Sequence, residues 1–253
     1  GIHSTKHSNY GLMKPDEVIN DIDNCSVKSE IILNDDQQKA YENLLNQFNL
    51  AQGGASLLYG VTGSGKTSVF LKLVDRVVDR GQSVIVMVPE IALTPQTLGI
   101  FYSHFGDRVA VFHSALSAGE RIDEWKRVKN GDAKIAIGTR SAVFAPFNNL
   151  GLIVMDEEHE HTYKSEMTPR FHARDVAKFR CVQNDAFLLL SSATPSVESY
   201  KNALDGKYGF VKLTERFDEV TTGNEVEEYL AKEHKEFDEF IKTKTVFTRV
   251  TGQ

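Results

Sequence analysis

The stretch Gly60-Val-Thr-Gly-Ser-Gly65-Lys66-Thr67 constrains the fold of this chain more than any other part of its sequence. It fits the pattern G-x-x-x-x-G-K-[ST], and it lies between an apolar run at residues 55–59 and a helical pattern. In this context the glycines let backbone N–H groups point at phosphate oxygens, and the helix N-terminus adds its positive dipole end. We predict a nucleoside-triphosphate site in which Lys66 neutralises the β- and γ-phosphates and Thr67 binds Mg²⁺. This loop alone leaves the class of protein open, because kinases, GTPases, transporters and motors share it. Its nucleotide-binding residues are Gly60, Thr62, Gly63, Ser64, Gly65, Lys66 and Thr67.

Short apolar runs alternate with helical patterns along most of the chain. The runs hold mostly β-branched or aliphatic residues, which is typical of strands covered on both faces of a parallel sheet. They lie at residues 55–59, 83–88, 109–112, 134–137, 152–155 and 187–190, with helical patterns at 67–79 and 118–129. Residues 31–216 are therefore predicted to form a three-layer α/β domain with a mostly parallel sheet.

The two ends of the chain differ from this domain in composition. Residues 1–30 are polar and rich in Asn, Ser and Asp, so we interpret them as a leader or the remnant of a linker. Residues 217–253 hold nine acidic and five basic residues, with apolar residues at helical spacing among them. They are predicted to form a short, acidic, amphipathic helical tail.

Composition excludes several classes of protein. No stretch approaches the ~18 consecutive apolar residues of a membrane span, and the polar start resembles no signal peptide. We therefore expect a cytoplasmic protein with no membrane partner. The two cysteines, Cys25 and Cys181, belong to no C-x-x-C pattern, so neither a disulfide framework nor a zinc site is expected.

A cluster of acids follows the apolar run at residues 152–155, in the sequence Asp156-Glu157-Glu158-His159. The carboxyl ends of parallel strands form the edge at which open α/β sheets bind ligands. We predict that Asp156 holds Mg²⁺ through its water shell and that Glu157 orients and deprotonates the attacking water. Together with Lys66, these acids indicate an enzyme that hydrolyses ATP.

Residues 160–180 combine aromatic and basic side chains, with five bases against three acids. Aromatic faces can stack on unpaired bases while cations hold phosphates, so this stretch is predicted to bind nucleic acid. The alternative for each residue is an aromatic ring packed in the core, or an ordinary surface charge. The candidate residues are Tyr163, Lys164, Arg170, Phe171 and Arg174.

A third motif, Ser191-Ser192-Ala-Thr194, follows the apolar run at residues 187–190. In order and spacing the three motifs resemble the first motor lobe of superfamily-two helicases, which implies a RecA-like ATP-binding lobe. In that resemblance Ser192 and Thr194 couple ATP hydrolysis to strand separation, and His159 relays the state of the γ-phosphate to them. The resemblance also implies that Gln37, in Leu33-Asn-Asp-Asp-Gln37, reads the adenine edge with its paired donor and acceptor.

The amino-acid sequences of four stretches resemble one family more closely, the primosomal replication-restart helicases (the PriA, or primosomal protein N′, family). The resemblance covers about residues 31–216 and implies an ATP-dependent helicase that separates DNA strands at forks. It implies forked or single-stranded DNA and other primosome proteins as partners, Arg140 as a contact to the DNA backbone, and residues 160–180 as an aromatic-rich coupling loop. The stretches are residues 60–67, Val88-Pro-Glu-Ile-Ala-Leu-Thr-Pro-Gln96, Phe112-His-Ser-Ala-Leu-Ser117, and Gly138-Thr-Arg-Ser-Ala-Val-Phe-Ala-Pro-Phe147.

The sequence also departs from that family's pattern. It contains no Q-x-x-G-R-x-x-R motif and no paired cysteines, whereas a complete restart helicase has a second motor lobe and zinc sites. We expect a lobe that works with a second lobe in trans, or a fragment with slow turnover on its own. Two alternatives stay open: a truncated, non-catalytic relative that binds DNA or a partner, and another P-loop enzyme such as an RNA helicase, a restriction-type translocase or a nucleotide kinase.

Overall fold

A computed structural model describes residues 31–50 and 53–214 of the chain. The predicted leader and tail, and Cys25, lie outside these residues. The helices are α1 (Asp35–Leu50), α2 (Lys66–Asp79), α3 (Pro95–Phe105), α4 (Ala118–Asn130), α5 (Ala173–Asn184) and α6 (Val197–Leu204). The strands are β1 (Ala55–Gly60), β2 (Ser83–Met87), β3 (Val109–Phe112), β4 (Ile135–Gly138), β5 (Leu150–Met155), β6 (Lys164–Ser165), β7 (Phe171–His172), β8 (Phe187–Ser192) and β9 (Gly209–Leu213).

Seven strands form one sheet in the order β3-β4-β2-β5-β8-β1-β9, and every pairing between neighbours is parallel. All six apolar runs predicted as strands lie in this sheet. The edge strand β9 and the small antiparallel hairpin β6–β7 were not predicted. The fold prediction of an α/β domain with a mostly parallel sheet is confirmed.

Helices cover both faces of the sheet because successive strand residues point to opposite sides. Leu58, Val154 and Leu189 face the core on the side of α1, α2 and α3, whereas their chain neighbours Leu57, Ile153 and Leu188 face the core on the side of α4, α5 and α6. Every one of these six side chains is buried. The continuous apolar runs in the sequence thus reflect burial on two faces.

Several helices begin at residues that cap their free N–H groups. Ser117 and Glu120 form a capping box at the start of α4, and the Thr94 hydroxyl accepts from Thr97 N at the start of α3, where Pro95 is the first residue. Among the helices that the structure describes, none is long and apolar enough to cross a membrane.

The strand order brings the three sequence motifs together. Strands β5, β8 and β1 are adjacent at the middle of the sheet and run parallel. The acidic motif follows β5, the Ser-Ala-Thr motif lies at the end of β8, and the glycine-rich loop follows β1. All three therefore lie at the carboxyl edge of one sheet, where such folds bind ligands.

Candidate nucleotide and nucleic-acid site

The glycine-rich loop has the backbone conformation that its glycines predicted. Gly63 and Gly65 have φ angles of 80° and 78°, a left-handed region in which glycine is favoured. The Lys66 side chain is buried and folds back over the loop, where its Nζ donates to Gly60 O at 2.9 Å and to Val61 O at 3.3 Å. Thr62 and Thr67 are exposed on the loop and at the start of α2. The loop thus offers an ammonium group and a hydroxyl at the N-terminus of α2.

Gln37 lies beneath this loop. Its Nε2 donates to Ser64 O at 3.2 Å, and its Oε1 accepts from Asn34 N at 3.1 Å. The residue is buried, and a Cβ atom on Gly65 would lie 2.1 Å from Gln37 Nε2. Gln37 therefore supports the phosphate loop and lies close to position 65, where the φ angle of 78° favours glycine. Adenine reading by Gln37 stays a prediction.

Asp156 leaves the end of β5 with its carboxylate fixed by a neighbouring strand. Ser191 Oγ donates to Asp156 Oδ1 at 2.8 Å. Burial raises the pKa of the Asp156 carboxyl, and the nearby Glu157 charge adds to that increase, while the hydrogen bond from Ser191 and the charge of Lys66 oppose it. The carboxylate is therefore held at an energetic cost that a bound cation would offset.

Glu157 adopts a backbone conformation that is uncommon for a residue with a side chain. Its φ angle is 42°, in a region where residues other than glycine are uncommon outside turns, helix ends and functional sites. Its Oε1 lies 4.0 Å from Lys66 Nζ, and its Oε2 lies 3.4 Å from Ser192 Oγ and 3.5 Å from Ala193 N. The carboxylate thus lies between the phosphate loop and the Ser-Ala-Thr motif, and its role in activating water stays a prediction.

The Asp156 carboxylate and the Thr67 hydroxyl are the oxygen donors that Mg²⁺ prefers when it also binds phosphates. The raised pKa of Asp156 fits this role, because a cation favours the charged carboxylate. Among the residues that the structure describes, no group of three or more His, Cys, Asp and Glu side chains could hold a metal ion by itself. The donor set suits an ion that arrives with nucleotide phosphates and keeps several waters.

His159 connects the acidic motif to the Ser-Ala-Thr motif. Its Nδ1 lies 2.9 Å from Ser192 Oγ, and its Nε2 lies 3.3 Å from Thr194 Oγ1. The same Nδ1 lies 3.7 Å from Glu157 Oε2. The three side chains predicted to couple the motifs are thus in direct contact, and the coupling role itself stays a prediction.

Glu158 was not predicted as a site residue, yet it organises the region behind the acidic motif. Its buried side chain accepts from Arg174 at 3.0 Å, from Ser196 N at 2.6 Å and from Ser199 Oγ at 3.1 Å. Arg174 also pairs with Glu198 at 2.6 Å. The end of β5 is thereby tied to α5 and to the start of α6. From the sequence alone, Glu158 could not be distinguished from an acidic residue exposed to solvent.

Two of the predicted nucleic-acid contacts lie inside the protein. Tyr163 is 1% exposed, so stacking of its ring on a base is wrong for this structure. Arg174 is 9% exposed and is engaged by Glu158 and Glu198, so a direct phosphate contact from it is likewise wrong. Both side chains adjoin the acidic motif, and their predicted role in coupling remains open to test.

The other predicted contacts lie at or near the surface. Lys164 and Arg170 are exposed on the hairpin β6–β7 and its turn, and Arg140 is partly exposed. Phe171 packs edge-on against Phe144, with ring centroids 5.0 Å apart. Phe144 is 53% exposed and was not predicted, although it lies only four residues after Arg140 in the same short 3-10 helix. The exposed basic and aromatic groups thus form one candidate surface for nucleic acid.

Most of the described residues are similar in sequence to known proteins. Residues 34–203 match the family model of the DEAD/DEAH box helicases. The chain is 45% identical over 184 residues to replication restart protein PriA of Bacillus subtilis, which is 73% of this chain and 23% of that protein. It is 47% identical over 186 residues to PriA of Treponema pallidum, 73% of this chain and 28% of that protein. The chain therefore spans about a quarter of the length of these relatives.

A solved structure of RecG bound to a three-way DNA junction shares the fold. The match covers 80% of this chain and 26% of the RecG chain, with a TM-score of 0.56 and 23% sequence identity. At this identity the likeness concerns the fold alone, and it supports the RecA-like lobe that the motifs predicted.

Proposed function

This chain belongs to the DEAD/DEAH box helicase family, and we propose that it is the ATP-binding first motor lobe of a DNA helicase or translocase of the replication-restart type. The observation that carries the proposal is the meeting of Lys66, Glu157 and the Ser-Ala-Thr motif at one sheet edge. The similarity to PriA proteins over 73% of the chain supports the replication-restart type. We also propose a cytoplasmic location.

Each group at the sheet edge has a chemical task in this proposal. The backbone N–H groups of the loop and the Lys66 ammonium hold the β- and γ-phosphates of ATP. Thr67, and Asp156 through the water shell of the ion, would hold Mg²⁺, which would neutralise the charge that develops on the phosphates. Glu157 orients a water molecule for in-line attack on the γ-phosphate and takes its proton, while the bond from the γ-phosphorus to the bridging oxygen breaks and ADP leaves.

A path from hydrolysis to strand separation runs through His159. Its contacts to Ser192 and Thr194 make the Ser-Ala-Thr motif sensitive to the position of Glu157. DNA contacts are proposed for Arg140, Lys164 and Arg170, with the Phe144 and Phe171 rings beside them. Cations that bind phosphates and aromatic groups that stack on bases suit a single strand of DNA.

Partners beyond DNA follow from the size of the relatives. A chain that corresponds to about a quarter of a PriA protein is proposed to act with a second motor lobe, supplied by the same protein or in trans, and with other primosome proteins. A second lobe supplies the arginines that stabilise the transition state in such motors.

Binding of nucleotide and of DNA tests this proposal directly. We expect the purified chain to bind a fluorescent ATP analogue in Mg²⁺ and to bind single-stranded or forked DNA in a salt-dependent way. Lys66→Ala is expected to weaken nucleotide binding about tenfold or more, because it removes a charge-assisted contact to the phosphates. Lys126→Ala is the matched control, since Lys126 is exposed on α4 and pairs with the exposed Asp123 at 3.4 Å.

Each result decides part of the proposal. Nucleotide binding that is the same in the Lys66→Ala chain and in the wild-type chain would overturn the ATP site. Tight binding of RNA in place of DNA of the same sequence would overturn the assignment of DNA as the substrate. Binding of both ATP and DNA, with loss of the former in Lys66→Ala alone, would support the lobe as proposed.

A further inference from the structure

Ser191 lies near the end of β8, between the two strands that lead into the site. On one side it pairs in register with Leu58 of β1, and on the other side Leu190, the residue before it, pairs with Met155 of β5. Its side chain is fully buried. Ser191 comes two residues after Leu189, which faces the core on the side of α2. Because side chains two residues apart on a strand share a face, the Ser191 hydroxyl points to the side on which the phosphate loop enters α2.

Ser191 contacts the acidic motif through two different groups. Its hydroxyl donates to Asp156 Oδ1 at 2.8 Å, and its main-chain O accepts from Glu158 N at 3.1 Å. Between these two contacts lies Glu157, with its φ angle of 42°. The main-chain N–H of Glu157 is a second donor to the Asp156 carboxylate. Ser191 thus holds both sides of the turn at Glu157, and only its hydroxyl reaches the carboxylate.

We propose that Ser191 is a positioning residue for Mg²⁺ binding, whose hydroxyl orients the Asp156 carboxylate toward the water shell of the ion. Ser191 acts through Asp156, since it is fully buried and donates its one hydroxyl proton to that side chain. A carboxylate has about four acceptor positions, so the hydrogen bonds from Ser191 and from Glu157 N leave others for water molecules of the ion. The inference rests on the proposed function and deepens it, because it names the group that orients the acid proposed to hold Mg²⁺.

The neighbouring serine has a different partner. Ser192 Oγ lies 3.4 Å from Glu157 Oε2 and 2.9 Å from His159 Nδ1. Two adjacent serines at the end of β8 thus serve two adjacent acids after β5. A hydrogen bond from Ser191 to a charged carboxylate is stronger than one between neutral groups. It fixes the side chain before the ion arrives, which reduces the entropy lost on binding.

The test compares nucleotide binding with and without Mg²⁺ in the 253-residue chain. A fluorescent ATP analogue is titrated in EDTA and in Mg²⁺, and the dissociation constant in EDTA divided by that in Mg²⁺ is the Mg²⁺ factor. We expect Ser191→Ala to keep the wild-type dissociation constant in EDTA and to have a Mg²⁺ factor about tenfold smaller, because partners that orient a ligand contribute on this scale to metal affinity. A purely structural role would weaken binding in EDTA as well.

Ser56→Ala is the matched control. Ser56 is a fully buried serine on the adjacent strand β1, and its hydroxyl donates to Gln47 on α1. This variant should keep the wild-type Mg²⁺ factor. A second comparison places Ser191→Ala in the Asp156→Asn background. There it should leave the Mg²⁺ factor unchanged, because the hydroxyl acts through the carboxylate that the background has removed.

A further variant covers the case of misfolding, which thermal melting detects. Ser191→Cys keeps a side chain of similar shape, but a thiol is only a weak hydrogen-bond donor. Its Mg²⁺ factor is therefore also expected to fall. Should Ser191→Ala be unfolded, the result for Ser191→Cys decides.

The outcomes separate this inference from the proposed function. A wild-type chain that binds no nucleotide overturns both. Wild-type binding that is equal in EDTA and in Mg²⁺ overturns the Mg²⁺ site and this inference, and leaves the nucleotide site in place. A folded Ser191→Ala chain with the wild-type Mg²⁺ factor overturns the inference alone, as does a further loss in the Asp156→Asn background.

Discussion

Asp156 is subject to two opposing demands. Its position at the end of a buried strand disfavours the charged carboxylate, while its proposed task requires that charge. Ser191 Oγ and the Lys66 ammonium offset part of the cost. A site that is destabilising without its ligand is common where binding rather than stability has been optimised.

Asp156→Asn should stabilise the ligand-free protein. The folded-state pKa of Asp156 is raised, so the stability that its protonated form contributes is present at low pH and is lost as pH rises through that pKa. Asparagine keeps an oxygen to accept from Ser191 and never becomes charged. At pH 8 we expect Asp156→Asn to melt at a higher temperature than the wild type, by about 2–4 °C for each 1 kcal/mol gained in the free energy of unfolding. This difference in melting temperature should narrow as pH falls toward about 4.

Melting curves of the ligand-free protein at several pH values check this expectation. Asp123→Asn is the control, because Asp123 is an exposed acid on α4. A melting temperature for Asp156→Asn equal to or below that of the wild type at pH 8 contradicts the expectation. The same substitution should weaken the contribution of Mg²⁺ to nucleotide binding, since it removes the negative charge that is proposed to hold the ion through its water shell.

The sequence predicted where the motif residues lie in the fold better than it predicted which side chains around them are buried, while their chemical roles stay predictions. The positions of Lys66, Asp156 and His159 near strand ends could be predicted, because each belongs to a motif that follows an apolar run in the sequence. Tyr163 and Arg174 matched a surface composition yet lie in the interior, because a tyrosine with hydrogen-bond partners, or an arginine paired with carboxylates, can also be buried. Only the packing of α5 and of the main chain around Tyr163 distinguishes the two.

At the scale of elements, the site depends on which strands are neighbours. The adjacency of β5, β8 and β1 brings three distant motifs together, and the sequence carried no direct signal for that order. Apolar runs predicted six strands because a strand covered on both faces needs continuous apolar residues. Strand β9 lies at the edge with an alternating burial pattern, and the hairpin β6–β7 has two residues in each strand. Neither produces a continuous apolar run.

The attachment of α5 and α6 to the acidic motif should be essential for stability. Glu158 is fully buried and pairs with Arg174, and removing one partner of a buried pair leaves an uncompensated charge. We expect Glu158→Gln to lower the free energy of unfolding by about 3 kcal/mol in urea titrations. The exposed pair of Lys126 and Asp123 provides the control. Asp123→Asn should change the free energy of unfolding by less than about 0.5 kcal/mol. Equal effects of the two substitutions would show that Glu198 alone suffices to neutralise Arg174.

At the scale of the whole molecule, the phosphate loop lies together with the acids Asp156 and Glu157. The sequence has no Q-x-x-G-R-x-x-R pattern, which would supply the arginines of a second lobe. Nucleotide binding needs the groups on this lobe, whereas the transition state of phosphoryl transfer also needs positive charge on the far side of the γ-phosphate. Binding and turnover should therefore separate when these 253 residues are studied alone.

The rate of phosphate release from ATP shows whether the chain binds nucleotide but turns it over slowly. Alone, the chain should hydrolyse ATP on the order of 10³-fold more slowly than a version fused to the second motor lobe of a longer PriA relative, with or without forked DNA. Lys66→Ala in both proteins sets the background, because it removes the phosphate contact whether or not the second lobe is present. If the isolated chain turns over as fast as the fusion, and Lys66→Ala abolishes that activity, then the missing positive charge comes from a second copy of this chain. In that case the rate should rise more steeply than in proportion to protein concentration, since the active species would be the assembled one.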